Sequence, residues 1–132
     1  MTSPRFEPRA YCAVPEHFGR YNTGWRVPAS NNSEAMDQLG AAKIQHQVAW
    51  LMRRAITGGK HRTIDTYSRS IGADPSRIGR MLRGTIVMRV EDMVSAQRNL
   101  GISIWAASPS NSEEADISRQ VDLVVDPTNR SE

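Results

Sequence analysis

Apolar residues recur at a spacing of three and four in four stretches of the chain, each bounded by capping or helix-breaking residues. The first runs from Ser33 to Thr57, with Ile44, Val48, Leu51, Met52 and Ala55 on one stripe. Ser33 is placed to cap it, Gly40 to interrupt it and Gly58-Gly59 to end it, so the main helix is expected from Ala41 onward. The second follows Thr63, whose hydroxyl can accept from the free N–H groups of a starting helix, while Asp65 suits the positive end of the helix dipole. Ile64, Tyr67, Ser68 and Ile71 share a face there, with Ser68 small enough for a second helix to come close, and Gly72 closes the segment. Asp74 and Pro75 start a third helix almost at once, because aspartate caps well and proline needs no N–H in the first turn. Ile78, Met81 and Leu82 form its apolar stripe. Ser76, Gly79, Arg80 and Arg83 then point largely the other way, and Gly84 ends the helix. The fourth stretch, Val90 to Leu100, directs Val90, Met93, Val94 and Leu100 inward. Residues 33–105 therefore read as one helical domain, with Trp50 and Trp105 expected in its core.

The two flanks have a different texture. Residues 1–32 hold Pro4, Pro8, Pro15 and Pro28, which oppose regular structure, together with the aromatics Phe6, Tyr11, Phe18, Tyr21 and Trp25. Disordered segments are usually poor in aromatics. This irregular arm is therefore expected to pack on the helical core, to meet a second subunit or to follow DNA. Residues 106–132 open as a linker, Ala106 to Ser112, and continue as an acidic tail in which Glu113, Glu114, Asp116, Asp122, Asp126 and Glu132 outnumber Arg119 and Arg130. Ser110 and Glu113 have capping-box spacing ahead of Ile117, Val121 and Val124, which suits a helix. Val121, Leu123 and Val125 suit a short strand equally well. In either form the tail could pair with a second copy or pack on its own domain.

Between Thr63 and Ser103 the elements run helix, tight turn, short arginine-bearing helix and closing helix, an order that presents one helix to the major groove of DNA. The segment resembles the Cro/lambda-repressor type of helix-turn-helix domain, the Xre family. Ser68 and Gly72 match the small residue and glycine that hold the family's second helix. Ile78 matches the branched apolar residue in its recognition helix, Arg83-Gly84 the end of that helix, and Leu100-Gly101 the end of the next. Tyr67 stands where the family usually has leucine, and Gly79 where it usually has a polar side chain. The resemblance implies a mostly α, lambda-repressor-like bundle of four to five helices carrying an irregular N-terminal arm and a short C-terminal tail. It further implies a sequence-specific double-stranded DNA-binding regulator, a cytoplasmic repressor acting as a homodimer on an inverted-repeat operator. Its alternative is an antitoxin or adaptor that meets a protein partner through the arm or the acidic tail.

Charge points the same way. Residues 53–89 hold nine basic side chains against Asp65 and Asp74, a net +7 in a chain whose total is +3. Such concentration, with a pI near 9.5, favours an anionic partner. Arg80 is the expected base reader, since a guanidinium bonds guanine O6 and N7 together, with Ser76 and Gly79 beside it. Lys60, Thr63, Arg77, Arg83, Thr85 and Arg89 are the expected phosphate contacts, which fix register without reading sequence.

Other chemistry is thinly represented. No apolar run approaches the length of a membrane span, and the first residues lack the apolar core of a signal peptide. A single cysteine builds no internal disulfide, so an intracellular protein is expected. His46 and His61 lack the paired spacing of a zinc site. Cys12 and His17 lack a third, orienting group, and Gly58-Gly59-Lys60 lacks the spaced glycines of a nucleotide loop. No cofactor, metal or enzymatic activity is expected.

Overall fold

A computed structural model describes residues 6–103; Trp105, the linker and the acidic tail lie outside them. The described chain folds into four α-helices: α1 (Ser33–Thr57), α2 (Ile64–Ser70), α3 (Pro75–Arg83) and α4 (Val90–Leu100). Two short 3-10 turns, Pro8–Tyr11 and Pro15–His17, precede them, and among the described residues there is no strand beyond an isolated antiparallel bridge between Cys12 and Trp25. The result is a small, mostly helical bundle. No helix among the described residues is long and apolar enough to cross a membrane.

Helix α1 departs from expectation in three ways. Its cap is Asn32, whose side chain accepts from the Ala35 N–H, and Ser33 is already helical. Gly40 does not interrupt it. Glycine costs about 1 kcal/mol relative to alanine inside a helix, but Leu39 is buried and Gln38 accepts from the Tyr11 hydroxyl at 2.8 Å, so tertiary contacts carry the helix through. The third departure is its girth. Val48 and Met52 of the expected stripe are buried, yet so are Leu39, Ala42, Gln45, His46, Gln47, Ala49 and Ile56. Five consecutive buried residues, 45–49, exceed one helical turn, so α1 is enclosed all round at its middle.

The N-terminal arm supplies the extra cover. Cys12 and Phe18 belong to the same core as Val48, Met52, Tyr67, Met81 and Leu82, and Trp25 packs against it, so the arm lays its buried residues on the helices. Trp50 stays half-buried at the rim, under the Arg54 guanidinium at 4.6 Å. The arm is pinned by backbone as well as by side chains. Arg9 N–H donates to Gly84 O at 3.0 Å, and Gly19 N–H donates to His46 Nδ1 at 2.8 Å. Gly84 adopts a left-handed φ of 79°, and a Cβ there would sit 2.7 Å from the Phe18 ring, so both the turn and the close approach require glycine.

The other helices form for the reasons their sequences indicate. Thr63 caps α2 by accepting from Thr66 N–H, and Asp74 caps α3 by accepting from Ser76 N–H, with Pro75 in the first turn. Ile78, Met81 and Leu82 are buried, and Tyr67 and Ser68 are fully enclosed where α2 meets the core. Helix α4 is rotated from the expected setting. Met93 and Leu100 pack against the core and Ala96 is fully buried, but Val90 and Val94 are 71% and 49% exposed. Asp92 faces the bundle instead, paired with Arg77 of α3.

His46 is a strongly perturbed titratable group in this core. It is 1% exposed, with the rings of Phe18 and Trp25 edge-on at 5.5 and 5.4 Å, and burial pushes its pKa down to about 4. In the unfolded chain the imidazole titrates near 6.5. Between those values the unfolded state binds a proton that the folded state refuses. Stability is therefore complete above pH 6.5 and falls as pH drops toward 4. Relative to a His46→Asn variant, which keeps an acceptor for Gly19, the wild type should lose roughly 3 kcal/mol across that window. Urea unfolding at a series of pH values measures this, and parallel profiles for the two proteins would remove His46 from the linkage.

Candidate nucleic-acid interface

Helix α3 has two unlike faces. Ile78, Met81 and Leu82 bind it to the bundle, while Ser76, Arg80 and Arg83 lie exposed at positions one and two turns apart. Its termination is tight: Thr85 N–H and Thr85 Oγ1 both donate to Arg80 O, at 3.0 and 3.1 Å. The loop beyond is held by Gln45, buried in α1. Gln45 Nε2 donates to Met81 O at 3.1 Å and Ile86 O at 2.9 Å, and its Oε1 accepts from Met88 N–H at 2.8 Å. Three directional bonds thus fix where α3 ends and how its outer face is aimed.

The expected contact residues stand in unlike settings. Gly79 is buried: a Cβ at this position would lie 3.2 Å from Arg83 Nη1, so the Arg83 side chain covers it. Arg77 is not a free phosphate contact. Its guanidinium donates to both carboxylate oxygens of Asp92, at 2.9 and 2.7 Å, with side-chain exposures of 25% and 14%. Asp92 also accepts from Arg89 N–H at 2.8 Å, and this double role turns it inward and rotates α4. The Thr63 hydroxyl is committed to capping, accepting from Thr66 N–H and donating to Thr66 Oγ1. Lys60 and Arg89 are exposed in the loops before α2 and α4. Among the expected residues, then, α3 brings Ser76, Arg80 and Arg83 together, with Thr85 just behind.

Two charges of the basic segment are neutralised locally: Arg77 by Asp92, and Arg69 by Asp65 one turn away on α2 at 2.7 Å. Arg53, Arg80 and Arg83 make no ion pair among the described residues. Sequence reasoning missed Arg20, which lies in the arm yet stands near enough to Arg53 to affect its ionisation, as does Arg83. No spacing rule could find it, because the approach of arm to helix is tertiary. Elsewhere, the buried Cys12 thiol is pushed up to about 11 by burial, against a hydrogen bond with Thr23 and the charge of Arg26, and is a poor nucleophile at neutral pH. Tyr67 is enclosed with Ser95 and Asp92 nearby, but its hydroxyl makes no hydrogen bond of acceptable geometry among the described residues. No group of three or more His, Cys, Asp or Glu among the described residues is placed to hold a metal.

Burial alone would raise the pKa of Asp92, but the hydrogen bonds from Arg77 and from Arg89 N–H outweigh it and hold the carboxyl below its usual range. A depressed carboxyl contributes stability above the unfolded value, near 4, and loses it as pH falls through the lower folded value. Arg77→Ala should therefore cost roughly 1–3 kcal/mol at neutral pH, as expected for a lost charge-assisted pair, and the deficit should shrink in acid below about pH 4. Chemical unfolding at pH 7 and pH 3 tests this; a deficit unchanged at pH 3 would mean that the pair is not its source. Comparison of the chain with protein-family models, with curated proteins and with solved structures gives no match.

Proposed function

We propose that this protein is a sequence-specific double-stranded DNA-binding regulator, a cytoplasmic repressor acting as a homodimer on an inverted-repeat operator. The observation that carries the reading is the outer face of α3, where Ser76, Arg80 and Arg83 are exposed on a short, rigidly terminated helix with no acidic partner among the described residues. A helix presented in this way, after another helix and a tight turn, suits the major groove as the second member of a helix-turn-helix unit. Arg80 reads a base edge, with Ser76 beside it near the entering end of the helix. Arg83, Thr85, Lys60 and Arg89 serve the phosphates. Gly79 contributes only space for Arg83, so the reading head has few base-contacting side chains, and two half-sites or DNA shape must supply the remaining specificity.

Val87, Val90 and Val94 are exposed on and just before α4, and they give the homodimer an apolar surface. Val94→Glu should weaken self-association without unfolding the protein, since this side chain is already half exposed. Sedimentation velocity with and without the substitution checks it, and a wild type that sediments as a monomer at all concentrations would sink the homodimer.

Selection from a random duplex pool at near-physiological salt tests the whole reading. The expected product is an inverted repeat with half-site centres about one helical turn, or a multiple of it, apart. Arg80→Ala should relax preference at one position per half-site and cost roughly 1–3 kcal/mol on the best site. A folded protein that enriches no sequence would end the proposal.

A further inference from the structure

A second cationic feature adjoins the reading face of α3. Gly19 is wedged between α1 and α3 with a left-handed φ of 69°, and a Cβ on it would lie 2.8 Å from Leu82 O and 2.9 Å from Ala49 Cβ. Its N–H is held by buried His46. The next residue, Arg20, is therefore delivered to a fixed place by packing rather than by a mobile loop. That place adjoins Arg53, which projects from α1, and Arg83, which projects from the end of α3.

Arginines from three separate elements thus flank one another, with Arg53 sharing one cleft with Arg20 and Arg83 sharing another. Arg20 lines two adjoining clefts, one with Arg53, Arg54, Tyr21 and Trp50, the other with Arg9, Arg83, Glu16 and Phe18. Glu16 is the acidic residue in that lining, and it makes no ion pair among the described residues. Arg53 Nε is buried without a hydrogen-bond partner among the described residues, a costly state for a charged donor. Burial first, then the charges of Arg20 and Arg83, push its pKa down to about 10. The arginines of these clefts outnumber the single carboxylate, an excess of like charge that stabilises no fold, and guanidinium forks match phosphate oxygens in geometry and charge.

We propose that Arg20, Arg53 and Arg83 form a phosphate clamp that grips a backbone phosphate of the DNA duplex flanking the bases read by α3, with the N-terminal arm supplying Arg20. This rests on the DNA-binding reading above. Arg83 links the two, since it is exposed on α3 and also lines one cleft with Arg20. The clamp reads no sequence. It sets how far α3 enters the groove and couples the fold of the arm to binding.

The test is Arg20→Gln, at an exposed side chain, with Arg20→Lys as the charge-preserving control. Binding to the selected duplex is measured across a salt series, and thermal unfolding of each free protein at low salt. Arg20→Gln should weaken binding equally on all duplex sequences and reduce the salt slope by about one phosphate's worth, roughly 0.9 in log–log units. Arg20→Lys should keep the slope. The free Arg20→Gln protein should melt no lower than wild type, because relieving repulsion costs the fold nothing; a lower melting temperature with an unchanged slope would make Arg20 structural and overturn the clamp. An unchanged slope while Arg80→Ala still relaxes specificity would overturn the clamp and leave the DNA reading standing. If the wild type binds no duplex, the DNA reading itself fails. In that case, stabilisation by inorganic phosphate over chloride at matched ionic strength, lost in Arg20→Gln, would assign the cluster to a free phosphate and overturn the DNA source.

Discussion

The side chain of Gln45 holds the geometry on which the rest depends. Buried in the middle of α1, it makes three hydrogen bonds to backbone groups of Met81, Ile86 and Met88. Hydrophobic contact is non-directional and would let α3 roll or slide by a fraction of a turn at little cost. Amide hydrogen bonds do not allow that freedom, and breaking them would strand buried carbonyls and an amide N–H, each costing roughly 1–3 kcal/mol. With the end of α3 held by this bracket, Gly84 meets Phe18, the arm lies over α1, and the outer face of α3 has one orientation. A polar residue in the core thus gives the bundle its specificity of arrangement, while Met52, Met81, Leu82 and their neighbours supply its bulk.

The arginines divide according to what faces them. Arg69 and Arg77 have carboxylate partners and belong to the architecture: the first braces α2, the second locks α4 against α3. Arg20, Arg53, Arg80 and Arg83 have none among the described residues. The charges of Arg20 and Arg83 bear on Arg53, a repulsion that persists because the fold around it is over-determined by packing. That imbalance is what the proposed DNA contact would neutralise. Charge density along the sequence identifies the basic segment, but only the pairing pattern separates structural cations from available ones.

Much of the local structure was legible in the chain. The end of α1 at Gly58, the Thr63 and Asp74 caps, the turn glycines and the buried stripe of α3 follow from spacing and end chemistry, because helix starts, stops and apolar faces are set by neighbours within a turn. Gly40 was misread as a break for the same reason: local propensity is weak and yields to the packing of Leu39 and the bond from Tyr11. Val90 and Val94 were misplaced inward because apolar spacing alone could not register that Asp92 would be drawn into the bundle by Arg77. The site was half visible. Ser76, Arg80 and Arg83 share a face by helical period, whereas the loss of Arg77 to an ion pair and of Gly79 to burial depended on partners distant in sequence or folded back in space.

By itself, then, the sequence determined four helices, most of their ends and the cationic face of α3, since each is a matter of interactions three or four residues apart. The tertiary structure alone decided that the proline- and aromatic-rich arm encloses α1, that Gln45 and His46 sit inside the core, and that Arg20 comes to rest beside Arg53 and Arg83. Those outcomes join residues separated by dozens of positions. They are settled by which surfaces fit and which buried polar groups find partners, and no periodic pattern along the chain encodes that.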